Sequence, residues 1–351
     1  MRGPAAFAIP GDISTRTGGF IYERRLLEGL RAQGRDVAHI PLPASFPDPS
    51  PGDMQAAVDA LLRVPPERPL IIDGLVFGAI ATPGLARVTA PIVAMIHHPL
   101  ALESGLSSTR ARHLFVTERD NLRLAAHVLV PSPHTKRMLV ERYDARPERI
   151  TVAPPGVDPP AGPPAPTSPP LILSVGILHP RKGHDVLLSA LSRLVELEWR
   201  ATIVGGAYDP ACARSLHRQA AAACLSGRVE IAGEVDGSSL DMLYRQATLF
   251  TLATRYEGYG MVFAEALSHG LPIVATRVGA VPDTVPETAG LLVAPDEPAD
   301  LAQAIKTVLT DAPLRNRLRT ASAGFGASLG SWGETARHAG AVLDTLAARR
   351  G

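Results

Sequence analysis

Several features that mark particular classes of protein are scarce in this sequence. The formal net charge is +1, because 35 Lys and Arg residues offset 34 Asp and Glu residues, so nucleic acid is not expected as a partner. No run of about 18 apolar residues predicts a transmembrane helix. The two cysteines, Cys212 and Cys224, would lie about 18 Å apart on one helix, too far for a disulfide. A cytoplasmic protein with ordinary thiols is therefore expected.

What the sequence does contain is a long alternation of short apolar runs with helical patterns. Strands are predicted at residues 5–10, 36–40, 70–72, 91–96, 127–130 and 150–152, and then at 171–175, 201–204, 229–232, 249–252, 273–275 and 290–293. Helices are predicted between them, among them residues 19–32, 53–63, 110–126, 135–143, 184–197, 210–224, 239–246 and 299–310. Strands that alternate with helices predict parallel sheets covered on both faces.

A segment rich in proline divides this alternation into two halves. Residues 158–170 read DPPAGPPAPTSPP, which fits a stiff linker and neither a helix nor a central strand. The chain of 351 residues is long enough for two domains, predicted at residues 1–157 and 171–331. In doubly wound sheets ligands bind beyond the carboxyl ends of the strands, so a shared site is expected in a cleft between the domains.

Residues 254–283 contain the pattern with the most chemistry. A Gly-rich turn with Glu257 follows a strand, and a helix that carries Glu265 begins near Gly260. A strand, a Gly turn and a helix N-terminus together form an anion site, and carboxylates accept hydrogen bonds from hydroxyl groups. A sugar nucleotide offers both phosphates and hydroxyls. Glu265 could instead lie on a solvated helical face, but its neighbours Phe263 and Ala266 make that face too apolar.

Three further motifs follow predicted strands, and each has an alternative interpretation. Arg181 and Lys182, just before Gly183, suit a diphosphate or form a solvated basic turn, with about even odds. The pair of glycines at residues 18 and 19 permits close approach to a phosphate, although a simple helix entry is the better interpretation locally. His97 begins a His-His-Pro run that could touch a ligand or be one buried and one solvated histidine. No metal-binding cluster is found, so no metal is predicted.

In this order and spacing, the motifs resemble those of the retaining glycosyltransferases of family 4, with the glycosyl transferases group 1 domain. That resemblance implies the GT-B fold, two doubly wound Rossmann-like parallel-sheet domains facing a cleft. The matching segments are residues 150–158, residues 181–183, the helix–strand pattern of Leu240, Tyr244, Ala247 and Phe250, the Glu-seven-residues-Glu signature from Glu257 to Glu265, and residues 270–275. The last helix of the family, which packs back onto the first domain, fits residues 332–351.

The resemblance also implies roles for residues of the second domain. Lys182, with Arg181, would neutralise the diphosphate leaving group. Glu265 would hold the ribose hydroxyls of the nucleotide, and Glu257 would contact hydroxyls of the donor sugar. The backbone N–H groups of the turn and helix start would reach the donor phosphate or sugar; these residues are Gly258, Tyr259, Gly260, Met261 and Val262.

Residues of the first domain receive roles in the same way. Gly18 and Gly19 would line the donor phosphate, and His97 would lie near the donor sugar and the acceptor. The sequence departs from the family at three places. His98 stands where many members have aspartate, and Ala280 stands where a pair of glycines is common before Pro282. Ile177, in the second domain, stands where many members have arginine. Arg181 is the residue expected to supply that missing cation.

The activity implied is metal-independent transfer of a sugar from a UDP- or GDP-sugar to a hydroxyl acceptor, with retention and without a cofactor. The leaving phosphate would take the acceptor proton in a front-face process. The acceptor could be a sugar, a small molecule or a lipid-linked molecule, and peripheral contact with a membrane is compatible with the sequence. Other functions of the same fold stay open: a sugar-nucleotide epimerase, a glycan phosphorylase, or a non-catalytic subunit that binds sugar nucleotides.

Overall fold

The computed structural model of the chain describes residues 3–222 and 224–348. The chain forms two compact units. Unit 1 is Met1–Gly156 together with Gly330–Gly351, and unit 2 is Val157–Leu329. The expectations that fall on residues 1, 2 and 349–351, including the end of the last predicted helix, lie outside the described residues.

Unit 1 begins with six strands and six helices in alternation. Its strands are β1 (Ala5–Pro10), β2 (Val37–Leu42), β3 (Leu70–Asp73), β4 (Ile92–Met95), β5 (His127–Val130) and β6 (Ile150–Val152). Its first six helices are α1 (Gly18–Ala32), α2 (Pro51–Leu62), α3 (Gly74–Ala79), α4 (Thr82–Leu85), α5 (Ser108–Leu122) and α6 (Pro133–Arg142). Strands β1, β3 and β4 are buried along their whole length, as unbroken apolar runs predict for central parallel strands.

The sheet of unit 1 has the order β2-β1-β3-β4-β5-β6, and all its strand pairs are parallel. The order reverses between β1 and β3, which is the place where ligands bind in open sheets of this type. The segments that leave β1, β3 and β4 at the carboxyl edge bring Gly18, Asp73 and His97 to that place. The main core of the unit packs between this sheet and its helices, with Phe77 and Leu61 among the fully buried side chains.

Unit 2 repeats the plan with a different strand order. Its strands are β7 (Leu171–Val175), β8 (Arg200–Val204), β9 (Val229–Gly233), β10 (Leu249–Leu252), β11 (Ile273–Thr276) and β12 (Gly290–Val293). Its helices are α7 (His184–Leu191), α8 (Pro210–Ala220), α9 (Gly237–Gln246), α10 (Met261–Ser268), α11 (Val281–Thr284), α12 (Pro298–Thr310) and α13 (Ala312–Gly326). The parallel sheet has the order β12-β11-β10-β7-β8-β9, so the reversal lies between β7 and β10. Two doubly wound parallel sheets were predicted, and both are confirmed.

The proline-rich segment belongs to unit 2 and lies against helix α9, which comes later in the sequence. Residues 158–170 contain neither helix nor strand. The Ala161 N–H donates to the Asp241 carboxylate at 2.9 Å, and the Ala165 N–H donates to the Arg245 carbonyl at 2.8 Å. The N–H groups of these two alanines therefore hold the segment against α9. The prolines of the segment have no N–H group and cannot donate such bonds.

The last helix, α14 (Trp332–Ala348), lies in unit 1 and packs against α1. Small residues bring the two helices together, since a Cβ added at Gly29 would lie 2.8 Å from the Cβ of Ala336. Buried Arg35, just after α1, donates to the carbonyl of Gly340 at 3.2 Å and pairs with Asp344. Among the residues described, no helix combines the length and apolar character that crossing a bilayer requires.

Several helix bounds were wrong. Helix α7 ends at Leu191 and not at residue 197, and α8 ends at Ala220 and not at residue 224. Cys224 thus follows the helix that carries Cys212, so the reasoning from helical rise did not apply; both cysteines are free. The loop that follows β11 contains a short helix, α11. Six strands, β1, β5, β6, β7, β10 and β12, have the predicted bounds.

Candidate functional site

The strands on either side of the reversal in unit 2 supply the predicted ionic residues. Strand β7 leads into a 3₁₀ turn, Pro180–Lys182, and strand β10 leads into the Gly-rich turn that contains Glu257. The Lys182 ammonium lies 2.6 Å from Oε1 of Glu257, and the two side chains are only 12% and 7% exposed. The structure therefore brings together two residues that lie 75 positions apart in the sequence.

The charge of Glu257 depends on this pair. Burial alone would raise the pKa of its carboxyl group, but the positive charges of Lys182 and Arg181 outweigh burial and hold the pKa below its ordinary value. The Thr254 hydroxyl also donates to Oε1, at 3.1 Å. Glu257 is thus an ionised acid in a buried position, which is tolerated because cations and a hydroxyl compensate it.

Hydrogen bonds tie the two turns to each other. The Arg255 N–H donates to the carbonyl of Arg181 at 2.7 Å, and the oxygen of the Thr254 hydroxyl lies 3.1 Å from the same carbonyl oxygen. The Arg255 guanidinium also pairs with Asp185 at 2.9 Å. Gly183, with φ of +65°, lets the first turn lie against the second, because a Cβ there would be 1.9 Å from the carbonyl oxygen of Ala253. The position of Lys182 is therefore fixed by the neighbouring turn.

The loop after β11 supports Glu257 from behind. The Ala280 N–H donates to the carbonyl of Glu257 at 2.9 Å. A Cβ at Gly279, where φ is +51°, would lie 2.3 Å from that carbonyl oxygen, so the loop approaches as closely as only glycine permits. Ala280 itself is fully buried and holds the backbone of Glu257.

Glu265 has a different environment from Glu257. It lies in the second turn of α10, and its Oε2 accepts a hydrogen bond from the Tyr244 hydroxyl at 2.8 Å. Burial raises the pKa of Glu265 to about 7, the Tyr244 hydrogen bond acts in the opposite direction, and the charge of Asp158 adds to the rise. The ring of His269 stacks on the ring of Tyr244, with centroids 4.8 Å apart, and this stacking holds the phenol beside the carboxylate. Near pH 7 this acid is poised between its two protonation states.

The start of α10 offers backbone donors beside these acids. Gly260 is the N-cap and makes no side-chain hydrogen bond to the helix. The first N–H groups of the helix, at Met261 and Val262, therefore have no N-cap side chain, and the helix dipole adds a partial positive charge there. Gly258 and Tyr259 lie in the preceding turn, as predicted from the sequence. This end of the helix can accept an anionic group.

In unit 1 the structure brings Gly19 and His97 together. Both glycines, Gly18 and Gly19, lie in the first turn of α1, and a Cβ at Gly19 would be 3.6 Å from Cδ2 of His97. The Tyr22 ring meets the imidazole edge-on, with centroids 5.1 Å apart. The neighbouring His98 turns to another acid, Glu103, at 3.3 Å. Of the two histidines, His97 is the one that packs against the first turn of α1.

Two acids that the sequence did not single out lie next to His97. Glu23, on α1, places Oε1 at 3.4 Å from Nε2 of His97 and is 1% exposed. Asp73, at the end of β3, is hydrogen-bonded to Glu23 and also accepts the Leu75 N–H at 2.8 Å. Burial raises the pKa of Glu23 to about 7 and raises that of Asp73 well above its ordinary value. Burial also lowers the pKa of His97, although the acid pair that includes Asp73 acts in the opposite direction.

The spacing of these three residues alone would permit a cation. One ligand atom from each of Glu23, Asp73 and His97 lies within 4.8 Å of the others. Two carboxyl groups joined by a hydrogen bond, however, already share a proton, because an ionised carboxylate can only accept. We therefore describe the cluster as a hydrogen-bonded acid pair beside an imidazole.

Most of the residues that sequence reasoning missed act by holding others. Arg255, Thr254, Glu23 and Asp73 carried no motif of their own, and Tyr244 was noted only as part of a pattern. The available signal was position, since Asp73 ends a buried strand at the carboxyl edge of the sheet, where the sequence offers an acid next to Gly74.

Comparisons with known families account for most of the chain. Residues 22–160 match the model described as Glycosyltransferase Family 4, and residues 169–311 match Glycosyl transferases group 1. D-inositol 3-phosphate glycosyltransferase of Xylanimonas cellulosilytica is 35% identical over 232 residues, 60% of this chain and 54% of that protein. The enzyme of that name from Nocardia farcinica is 30% identical over 294 residues, 76% of this chain and 59% of that protein. The chain thus spans about half the length of the curated relatives it matches.

Solved structures agree on the fold. Sucrose-phosphate synthase from Thermosynechococcus elongatus superposes with a TM-score of 0.84 at 22% identity, covering 99% of this chain and 100% of the other. HepE of Anabaena, solved with UDP-glucose, gives a TM-score of 0.76 at 18% identity, covering 99% and 100%. These identities are low, so the likeness establishes the GT-B fold and not a substrate.

Proposed function

The chain belongs to glycosyltransferase family 4, and we propose that it transfers a sugar from a nucleoside diphosphate donor to a hydroxyl acceptor, retaining the anomeric configuration. The observation that carries the proposal is the buried Lys182–Glu257 pair, 2.6 Å apart, at the strand reversal of unit 2. Ligands of doubly wound sheets bind there. A cation, a helix N-terminus and two carboxylates at one place match a diphosphate that carries sugars at both ends.

In the proposed reaction Lys182 and Arg181 stabilise the charge that develops on the departing diphosphate. An ammonium group has three N–H donors, so its contact with Glu257 is compatible with another to a phosphate oxygen. Backbone N–H groups of residues 259–262 would act on the same charge. No metal ion is needed for this stabilisation, and the leaving phosphate takes the proton of the acceptor hydroxyl.

The two glutamates would read the two ends of the donor. Both contacts of Glu257, to Lys182 and Thr254, fall on Oε1, so we assign its Oε2 to a hydroxyl of the donor sugar. Glu265 would accept hydrogen bonds from the ribose hydroxyls while Tyr244 holds its Oε2. In unit 1, Gly18 and Gly19 would lie along the donor phosphate, and His97 would face sugar hydroxyls.

The names of the relatives and neighbours suggest which substrates to try first. HepE was solved with UDP-glucose, and the curated relatives are named for inositol 3-phosphate as the molecule they glycosylate. We propose a UDP-sugar as the first donor and a phosphorylated polyol as the first acceptor. GDP-sugars and lipid-linked acceptors complete the panel.

The test has a binding step and a chemical step. Thermal unfolding is measured against a panel of UDP- and GDP-sugars, because a ligand that binds only the folded state raises the Tm. The donor with the largest shift is then incubated with candidate acceptors in EDTA, and proton NMR reads the anomeric coupling of the product. We expect retention and full activity in EDTA. Release of nucleotide with no acceptor, a requirement for free phosphate, or loss of activity in EDTA would each contradict the proposal.

A further inference from the structure

The acid pair in unit 1 is more than a way to bury two carboxyl groups. Glu23 is 1% exposed and Asp73 is 3% exposed, so neither faces bulk water. Burying carboxyl groups is costly, and two together are costlier, unless they gain partners. The Asp73 side chain gains the Leu75 and Val76 N–H groups, at 2.8 and 3.3 Å, and Glu23 gains Asp73.

The direction of the shared hydrogen bond follows from these contacts. One member of a hydrogen-bonded carboxyl pair must be protonated, and burial raises the pKa of both acids. The carboxylate that faces Nε2 of His97 gains an N–H partner when it is charged, so above pH 7 the shared proton lies on Asp73 and the negative charge on Glu23. Its Oε1 is a buried atom with no conventional hydrogen bond among the described residues, and it faces Nε2 of His97 at 3.4 Å.

The imidazole is oriented by the same arrangement. Nε2 of His97 is likewise buried without a conventional hydrogen bond among the described residues, and since the side chain as a whole is 22% exposed, the exposed part belongs to its other atoms. Gly19 and Tyr22 pack against the ring, and the His97 carbonyl accepts from the Thr135 hydroxyl at 3.4 Å. A neutral imidazole whose Nε2 faces a carboxylate carries its proton on Nε2, which leaves Nδ1 as the acceptor.

We propose that Glu23 and Asp73 are positioning residues for His97: Asp73 donates its proton to Glu23, Glu23 accepts the Nε2–H of His97, and Nδ1 is thereby held ready to accept a hydrogen bond from a sugar hydroxyl. The substrate part of this inference rests on the proposed glycosyl transfer. The arrangement of the three residues in the ligand-free protein does not depend on it. The arrangement involves hydrogen bonds only, so no group is oxidised and no covalent bond forms. Each of the two hydrogen bonds to Glu23 contains one proton.

The direct test uses the full chain labelled with ¹⁵N-histidine at pH 8, where Glu23, with a pKa of about 7, is mostly ionised. Long-range proton–nitrogen NMR identifies which ring nitrogen carries the proton. The His97 signal is assigned by its loss in His97→Asn. We expect the Nε2–H tautomer in the wild type and in Asp73→Asn, since asparagine can still accept the Leu75 N–H and donate to Glu23. Glu23→Leu should give a mixture of tautomers. An Nδ1–H tautomer in the wild type, or an unchanged signal in Glu23→Leu, would overturn the proposal.

Glu118→Gln is the matched control for removing a buried acid. Glu118 is fully buried in the same unit, burial raises its pKa to about 8, and it accepts the Leu100 N–H at 3.2 Å. The His97 signal should be the same in this variant as in the wild type. Spectra with EDTA and with added Zn²⁺ should also coincide; a change in the His97 signal with metal would overturn the proposal in favour of a cation site.

A kinetic cycle tests the link to catalysis. Glu23→Gln and His97→Ala should each lower kcat by about tenfold or more, since misplacing a group near the reacting atoms has effects of that size. The double variant should be no slower than His97→Ala alone, because Glu23 acts only through His97. Additive losses would overturn the positioning role. If the wild type transfers no sugar from any donor, the proposed function fails, while the NMR result still decides the arrangement of the three residues.

Discussion

Both units bury carboxyl groups at the carboxyl edge of their sheets, and they compensate them differently. In unit 2, Glu257 lies against Lys182, and its pKa is held below the ordinary value. In unit 1, Glu23 lies against Asp73, and the pKa of both groups is raised. A cation keeps an acid charged at every physiological pH, whereas a shared proton leaves the charge dependent on the surroundings. The first arrangement suits fixed stabilisation of a leaving group, and the second suits orientation of a neutral imidazole.

Glu265 shows that the difference is not simply one of unit. It lies in unit 2, yet burial raises its pKa to about 7, and its partner is a phenol and not a cation. The direction of the pKa shift of a buried acid is therefore set by the side chain next to it and not by the unit in which it lies. Each of the four predictions below changes one such neighbour or one such acid, beginning with the largest expected effect.

Removing the cation of unit 2 should have the largest effect. Lys182→Met leaves Glu257 as an unpaired buried charge, so we expect a loss of roughly 3 kcal/mol in the free energy of unfolding and at least about a hundredfold loss of transfer. Urea unfolding and initial rates with the donor measure both. Lys306→Met is the control, because Lys306 and its partner Glu196 are 43% and 51% exposed and should contribute little. An active, equally stable Lys182→Met would show that the pair is not needed.

Glu265 should make donor binding depend on pH. Its pKa is about 7, so the carboxylate that we propose accepts ribose hydroxyls is mostly absent at pH 6 and mostly present at pH 8. The Kd for the donor should therefore fall as pH rises through 7, by about tenfold in calorimetric titrations. Glu265→Gln should bind weakly at both values, with a flat profile. Equal affinities of the wild type at pH 6 and pH 8 would contradict the assignment.

Glu23 should make the fold less stable as pH rises. Its folded pKa of about 7 lies above the ordinary 4.5, so between these values the folded state holds a proton that the unfolded state has lost. Stability from this group is complete below 4.5 and is lost as pH rises through 7, about 2 kcal/mol between pH 5.5 and 8. Glu23→Gln should lose less stability over that interval in urea unfolding, although it transfers sugar more slowly.

The titratable groups around Glu23 decide how the pH dependence of stability is assigned. Asp73 and His97 face it, and the neighbouring Tyr22 stays neutral because burial raises its pKa. Asp73→Asn removes one of the two protonation sites and keeps the hydrogen bonds. A pH dependence as steep in Glu23→Gln as in the wild type would assign the effect to another acid, such as Glu118.

The smallest effect is expected from the phenol under Glu265. Tyr244→Phe removes the hydrogen bond that lowers the pKa of Glu265, so that pKa should rise. The midpoint of the pH dependence of donor binding should move upward by about one unit, because a hydrogen bond to a charged group is worth about 1.5 kcal/mol. A midpoint that stays in place would show that burial alone sets this pKa.

The fold could be predicted largely because its strands are buried on both faces. Mostly apolar runs such as β7 and β10, which are buried along their whole length, predicted the strand bounds to the residue. Helix ends were less predictable. Residues 192–197 continue the helical pattern of α7, but the chain turns at Ser192 and buries Trp199, whose indole N–H donates to the carbonyl of Leu194 at 2.7 Å. Burial of that large ring overrides helix propensity, and no local pattern reveals it.

The candidate site was predictable where a residue belongs to a sequence motif and hidden where it does not. Lys182 and Glu257 lie in turns at the carboxyl edge of the sheet of unit 2. Glu23 precedes Arg24 and Arg25 on an amphipathic helix, so it looked like part of a solvated face. Its burial depends on Asp73, 50 residues away, and pairing at that distance leaves no trace in local periodicity. The assigned roles of all the site residues stay predictions.

Helix α14 has a consequence for how the chain is made. It leaves the ribosome after all of unit 2, yet it packs on α1, and Trp332 meets the Tyr22 ring edge-on at 5.8 Å. Tyr22 in turn packs on His97. Unit 2 can fold during synthesis, since all its residues precede position 330. Unit 1 must wait for its end with an open apolar groove, so the histidine acquires its final surroundings only after synthesis has passed unit 2.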